Sequence, residues 1–140
     1  MNKIFIAAAD RPGVLAEVTE ILAEKNINIE NIDLEKLGTI EGISGCIIAV
    51  DNYELALRLL NNAAIAGAPF KAIPEENLVL LLDDAPGSLA KITKRFTENA
   101  ININSIHIIV RGQKHMLAGI SVDHLEEAKK AFKDILVFPR

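Results

Sequence analysis

The spacing of hydrophobic positions along the chain changes period in a set order, and the order occurs twice. Lys3 to Ala8 is apolar at nearly every position and predicts a short buried strand. Val14, Leu15, Val18, Ile21 and Leu22 then recur at three- and four-residue steps, with Glu17, Glu20, Glu24 and Lys25 on the opposite face, which predicts an amphipathic helix. Asp10 is placed to cap it, Pro12 to occupy its first turn and Asn26 to end it in a left-handed conformation. "INIENIDLEKL" alternates with a period near two, "GTIEG" turns the chain, and "ISGCIIAV" returns as a second strand of a hairpin. Helical spacing resumes in "DNYELALRLLNNAAIAG" through Leu55, Leu59 and Leu60, with Asp51 as the expected cap, and "FKAIP" supplies a last strand.

The second half repeats this series. A strand from Leu78 to Leu82 leads into a helix from Pro86 to Asn99, buried through Leu89, Ile92 and Phe96. Strands at "INSIHIIV" and "HMLAGISV", a helix from Leu125 to Lys133 and a strand from Ile135 to Phe138 complete it. "DRPGVLAEVTEILAEKNINI" from Asp10 lies over "DAPGSLAKITKRFTENAINI" from Asp84 without a gap, a spacing of 84 − 10 = 74 residues. Two units follow, residues 1–74 and 75–140, with the polar Pro74, Glu75 and Glu76 between them. Units of about 70 residues bury only about 60% of their unfolded surface, so each gains by packing on a twin. The order strand, helix, strand, strand, helix, strand is the split βαβ of ferredoxin-like α+β folds: an antiparallel four-stranded sheet with both helices on one face.

Helices on one face leave the other face to alternate toward polar residues. Yet "IFIAA", "LVLLL", "GCIIAV" and "MLAGI" are apolar at both phases. The expectation is that the second face packs on another subunit's sheet, in a homodimer or higher oligomer.

Composition narrows the partners. The 140 residues are 50% hydrophobic, only 4% aromatic, and carry a formal net charge of −4, which offers no electrostatic attraction to nucleic acid or anionic membrane. The lone Cys46 sits in an apolar run and reads as a small buried hydrophobe in a reducing compartment. The apolar run at the amino terminus is too short for a signal segment, and no run approaches the roughly 20 residues of a membrane helix, so a cytoplasmic protein is expected.

Catalytic constellations are missing. Cys46 lacks a base, and no serine stands in a nucleophile elbow. His107, His115 and His124 have no metal-ligand spacing, although His107 and His115 flank the "RGQK" turn and are expected near one another. "DRPG" and "DAPG" have one glycine each and no phosphate-binding lysine, and neither aromatic RNA platforms nor a Cys-x-x-Cys copper loop is present. The reading is a protein that is not an enzyme and needs no cofactor.

What remains is the repeated Asp-x-Pro-Gly turn and the repeated Asn28 and Asn102 at the entry to the second strand of each unit. Capping and turn chemistry account for Asp, Pro and Gly. The free N–H groups of the helix start are equally a seat for a carboxylate, and Gly13 and Gly87 allow close approach to the backbone. Asparagine is depleted in strands, and its amide offers both donors and an acceptor to an amino acid's charged groups. It can also simply satisfy local backbone.

"DRPGVLAEVTEILAEKNINIENI" and "DDAPGSLAKITKRFTENAININSIHI" resemble the ACT domain, a small amino-acid-binding regulatory module, and the resemblance covers both halves. It implies two units paired side by side into one eight-stranded sheet, with effector contacts from the first loop of one unit and the second strand of its neighbour. By position these are Asp10, Arg11, Pro12, Gly13, Val14, Leu15 and Asn28, and in the second unit Asp84, Ala85, Pro86, Gly87, Ser88, Leu89 and Asn102. Serine-binding members carry a histidine two residues before the Asp position, where Ala8 and Leu82 stand here, which favours an apolar effector. Arg11 and Val14 in one unit correspond to Ala85 and Ser88 in the other, implying unequal affinities or one dead site. The implied protein senses a small amino acid and signals to a separate enzyme; the alternative is a regulatory subunit that binds a partner protein constitutively, without a small ligand.

Overall fold

The structure, a computed structural model, describes residues 2–35 and 42–140. Two compact units divide between Glu75 and Glu76. In the first, β1 (Lys3–Ala9) leads to α1 (Val14–Glu24), β2 (Ile29–Glu35), β3 (Ile43–Val50), α2 (Tyr53–Ile65) and β4 (Phe70–Pro74). In the second, β5 (Leu78–Asp83) leads to α3 (Ser88–Glu98), β6 (Ile103–Arg111), β7 (His115–Val122), α4 (Leu125–Ala131) and β8 (Leu136–Phe138). The strand orders, β2-β3-β1-β4 and β6-β7-β5-β8, are the same, every pair is antiparallel, and each unit has its own four-stranded sheet. Each unit is thus a ferredoxin-like βαββαβ unit, as the periodicity predicts. The "GTIEG" turn lies outside the described residues except for Gly42, whose φ is 85°.

Each unit has its own core. Ile4, Ile6 and Ala8 on one phase of β1 pack with Val18 and Leu22 of α1 and Ala56 and Leu60 of α2. Leu78, Leu80 and Leu82 pack in the same way with Ile92 and Phe96 of α3 and Ala128 and Phe132 beside them. The Phe96 and Phe132 rings stack with centroids 4.1 Å apart, and the Arg95 guanidinium lies 4.5 Å from the Phe132 ring centre. The other phase of β1, Phe5 and Ala7, is buried as well.

The helices begin later than the sequence predicts. α1 starts at Val14 behind an N-cap Gly13 with φ 90°, and α3 starts at Ser88 behind Gly87 with φ 88°; neither cap has a side-chain hydrogen bond. Asp10 therefore does not cap α1, and Pro12 and Pro86 lie in the turn before the helix. Positive φ is the reason: only glycine enters that region freely, and the chain must pass through it to aim the helix back across the sheet. Asp51 does not cap α2 either, since the side chain of Asn52 accepts from the Leu55 N–H at 3.3 Å. Leu15 and Leu89, expected in the buried stripe, are each 39% exposed because they sit in the helix's first turn at the edge of the core. Asn26 has the left-handed conformation expected of it, with φ 55°, and its counterpart in the second unit is Ala100 with φ 56°.

Candidate functional site

The Asp-x-Pro-Gly turns sit at one end of each sheet. Asp10 extends the β1–β3 ladder, its N–H donating to the Gly42 carbonyl at 3.0 Å, and Asp84 does the same toward the Lys114 carbonyl at 2.9 Å. The Asp84 carboxylate is also ion-paired with Arg111 at the end of β6, and the guanidinium lies 3.8 Å from the Met116 sulfur. Ser88, at the start of α3, turns its N–H to the Ala85 carbonyl at 3.2 Å.

In the first unit this end of the sheet opens into a cavity of about 230 Å³. Arg11, Gly13, Val14, Leu15 and Val18 line it from the turn and α1, and Ile6 and Ala8 of β1, Ser44, Gly45 and Cys46 of the neighbouring β3, and Leu34 of β2 beyond line it from the sheet. Four of the six expected loop residues line it; Asp10 and Pro12 do not. Burial pushes the Cys46 thiol up to about 11, so it stays neutral. Leu34, Ser44 and Cys46 were not expected at a site, and Ala8 only as the position where serine-binding members carry a histidine. The signal for them is the pairing of Ala8 with Ser44 and of Leu34 with Cys46, which depends on strand register.

In the second unit, Leu82 pairs with Met116 at the positions of Ala8 and Ser44, and both are buried. A cavity of about 290 Å³ lies along α3, lined by Leu82, Asp83, Ser88, Lys91, Arg95 and Ile135 among others, and of the expected residues includes only Ser88. Ala85, Pro86, Gly87 and Leu89 are exposed and do not line it.

Asn28 and Asn102 are elsewhere. Ala9 pairs with Ile43 at one end of β3, whereas Ile29 pairs with Val50 at the other, so Asn28 stands roughly 20 Å along the sheet from its own Asp10 loop. The same holds in the second unit, where Asp83 pairs with His115 and Ile103 with Val122. No single unit brings its loop and its asparagine onto one ligand. Each asparagine instead meets the turn after the third strand. The Asn28 N–H donates to Asp51 Oδ1 at 3.0 Å and receives the Asp51 N–H at its carbonyl at 3.1 Å.

Register also separates two histidines expected to be neighbours: His107 opposes Gly119, four residues along β7 from His115. The His107 ring occupies the space a Cβ on Gly119 would need, at 2.7 Å. His115 instead lies 3.5 Å from Asp83. Among the described residues no three metal-ligating side chains cluster, and no helix is long and apolar enough to cross a membrane.

The ACT domain family model matches twice, over residues 3–63 and 77–136. None of the curated proteins matches the chain by sequence. Among solved structures, a protein from Bacteroides thetaiotaomicron is 18% identical, with a TM-score of 0.47, covering 97% of this chain and 90% of its own. The regulatory subunit of aspartate kinase from Thermus thermophilus is 19% identical, with a TM-score of 0.42 and coverage of 96% and 93%. The acetolactate synthase small subunit from Thermotoga maritima is 13% identical, with a TM-score of 0.43 and coverage of 98% and 89%.

Proposed function

Because the chain belongs to the ACT domain family, with both of its units matched, we propose that it is a regulatory protein that senses a small amino acid and signals its presence to a separate metabolic enzyme or regulator. The observation that carries this reading is the cavity at the first Asp-x-Pro-Gly turn, which has apolar walls, a guanidinium at Arg11 and the start of a helix in one place. The first N–H groups of α1 have no partner within the helix and favour negative charge, so an effector's carboxylate is held there beside Arg11. Its side chain lies against Ala8, Val14 and Leu34. The protein acts by binding rather than by catalysis, and occupancy is transmitted because the ligand favours one arrangement or assembly of the units over another. Asp10, Pro12 and the second turn, Asp84 to Leu89, are assigned to shaping the loops, and Asn28 and Asn102 to the far end of each sheet.

A thermal-shift screen against all twenty amino acids tests it. A ligand at 100 times its dissociation constant adds about 2.7 kcal/mol of stability. The expected result is a shift with one or a few small apolar amino acids, reduced by Gly13→Ala, which forces an alanine into φ 90° where no neighbour obstructs a Cβ. A screen in which none of the twenty moves the transition rejects the sensor and favours a subunit that binds its partner protein constitutively.

A further inference from the structure

The two units share fold, turn and register, yet the space beside Ala8 is differently built in each. Ala8 pairs with Ser44 in the first unit, and Leu82 pairs with Met116 in the second. All four project from equivalent positions on the strands toward the first helix, where Val18 and Ile92 correspond. Leu82 and Met116 are buried in the second core cluster with Ile92, whereas Ser44 is only half-buried and borders the first unit's cavity beside Ala8; the second unit's own cavity, along α3, touches Leu82 but not Met116. The larger pair supplies from within the chain the apolar atoms that the smaller pair leaves out. Arg11, which lines the cavity, corresponds to Ala85, and the guanidinium that reaches this place in the second unit, Arg111 at 3.8 Å from the Met116 sulfur, is already ion-paired with Asp84.

The cavity's chemistry is one-sided. Among the described residues Arg11 is the only charged one in its wall and no Asp or Glu lines it; the other polar side chains there are the Ser44 hydroxyl and the neutral Cys46 thiol. Among the described residues no carboxylate pairs with Arg11. An anion is therefore matched by a full charge, and an aliphatic tail by Ile6, Ala8 and Val18. An ammonium group finds no carboxylate among the described residues of the wall, so it contributes little whether present or absent. A cavity of about 150 Å³ lined by aliphatic side chains holds benzene, and about 230 Å³ suits a chain of five or six carbons.

We infer that the chain takes up one ligand, in the first unit only, and that this ligand is recognised as a short aliphatic carboxylate by Arg11 and the Ala8–Ser44 gap, while Leu82 and Met116 permanently fill the corresponding place in the second unit. The inference rests on the effector reading for its site but not for the ammonium group.

Calorimetric titration of the full chain tests it with three probes of one carbon skeleton: leucine, 4-methylpentanoate, and the uncharged 4-methylpentanamide. The expected result is one equivalent per chain for leucine and 4-methylpentanoate, with affinities within about tenfold of each other, and binding of the amide at least about tenfold weaker. Arg11→Gln, a change at an exposed residue, removes the preference for acid over amide, and Arg11→Lys restores part of it. Ala8→Leu combined with Ser44→Met abolishes binding, and circular dichroism checks that this variant folds. Two equivalents per chain, undiminished binding by the folded filled variant, or leucine binding where 4-methylpentanoate does not would each overturn the inference and leave the amino-acid sensor standing. Binding of 4-methylpentanoate with no response to any amino acid would sink the sensor and overturn the indifference to the ammonium group, leaving only Arg11 and the Ala8–Ser44 gap as a carboxylate site. Failure of every probe and of every amino acid rejects both.

Discussion

Asn102 and Asp123 are joined three times: the Asn102 N–H donates to Asp123 Oδ1 at 3.1 Å, its side-chain amide donates to Oδ2 at 3.1 Å, and the Asp123 N–H returns to the Asn102 carbonyl at 3.2 Å. Asn28 and Asp51 repeat the two main-chain links, but the Asn28 amide has no hydrogen-bond partner among the described residues. The two asparagines, equivalent by sequence, therefore do different things. Asn28→Ala should leave stability within about 0.5 kcal/mol of the parent, as for a surface change away from any network. Asn102→Ala should lower the denaturation midpoint measurably. Equal midpoints for the two variants would show that the third link is worthless.

The same aspartate gives the chain a pH dependence. The hydrogen bond from His124, whose Nδ1 lies 2.9 Å from Oδ1, is the main reason the Asp123 carboxyl is held below its ordinary value, with Asn102 assisting. Asp123 in turn raises His124 above its ordinary value of 6.5. A lowered carboxyl stabilises above its unfolded pKa and loses that contribution as pH falls through the folded value. A raised imidazole stabilises below its unfolded pKa and loses it as pH rises through the folded value. The pair is thus fully effective between the unfolded values of 3.8 and 6.5. Urea denaturation at about pH 5.5 and about pH 8.5 should show a loss of stability at the higher pH that His124→Asn reduces.

Ala100 occupies a left-handed conformation where the first unit has Asn26. An L-residue with a plain Cβ is disfavoured there by roughly 1–2 kcal/mol, and glycine regains part of this against its greater freedom in the unfolded chain. Ala100→Gly should stabilise the protein by about 0.5–1 kcal/mol and Asn26→Ala destabilise it by a similar amount. A thermal scan in which Ala100→Gly melts below the parent would refute this.

Arg95 ties α3 to the end of α4. It donates to Asp134 through both terminal nitrogens at 3.0 and 3.2 Å, to the Ala131 carbonyl at 2.7 Å, and lies over the Phe132 ring. The exposed ion pair alone is worth little. Stacking and the carbonyl contact bring the expected cost of Arg95→Ala to about 1–2 kcal/mol, with Arg95→Lys intermediate because an ammonium can neither fork nor stack. Chemical denaturation of the two variants checks the order.

Much of this architecture was legible before any coordinates. The bounds of β3, β4 and β7 coincide with the runs "ISGCIIAV", "FKAIP" and "HMLAGISV", because largely buried strands appear as mostly apolar segments bounded by turn residues, even where one position, Lys71, is exposed. The helix starts were misjudged by about two residues because capping by Asp and a left-handed glycine cap share one sequence signature, Asp-x-Pro-Gly. That signature marks the loop residues Asp10 to Leu15, of which Arg11, Gly13, Val14 and Leu15 line the cavity and Asp10 and Pro12 do not. Leu34, Ser44 and Cys46 are not marked by anything in their local spacing, and Ala8 is marked only by comparison with serine-binding family members.

Alone, then, the sequence determined the two-fold repetition, the order of elements and which stripe of each helix turns inward, because side-chain period and turn chemistry are local properties of a few consecutive residues. Tertiary structure decided where the asparagines find partners and which unit's cavity reaches between the first and third strands at the Asp-x-Pro-Gly turn. Those outcomes turn on strand register, which sets Ala8 beside Ser44 and Leu82 beside Met116 across long stretches of intervening chain, so that a difference of a few side-chain atoms leaves space in one unit and fills it in the other.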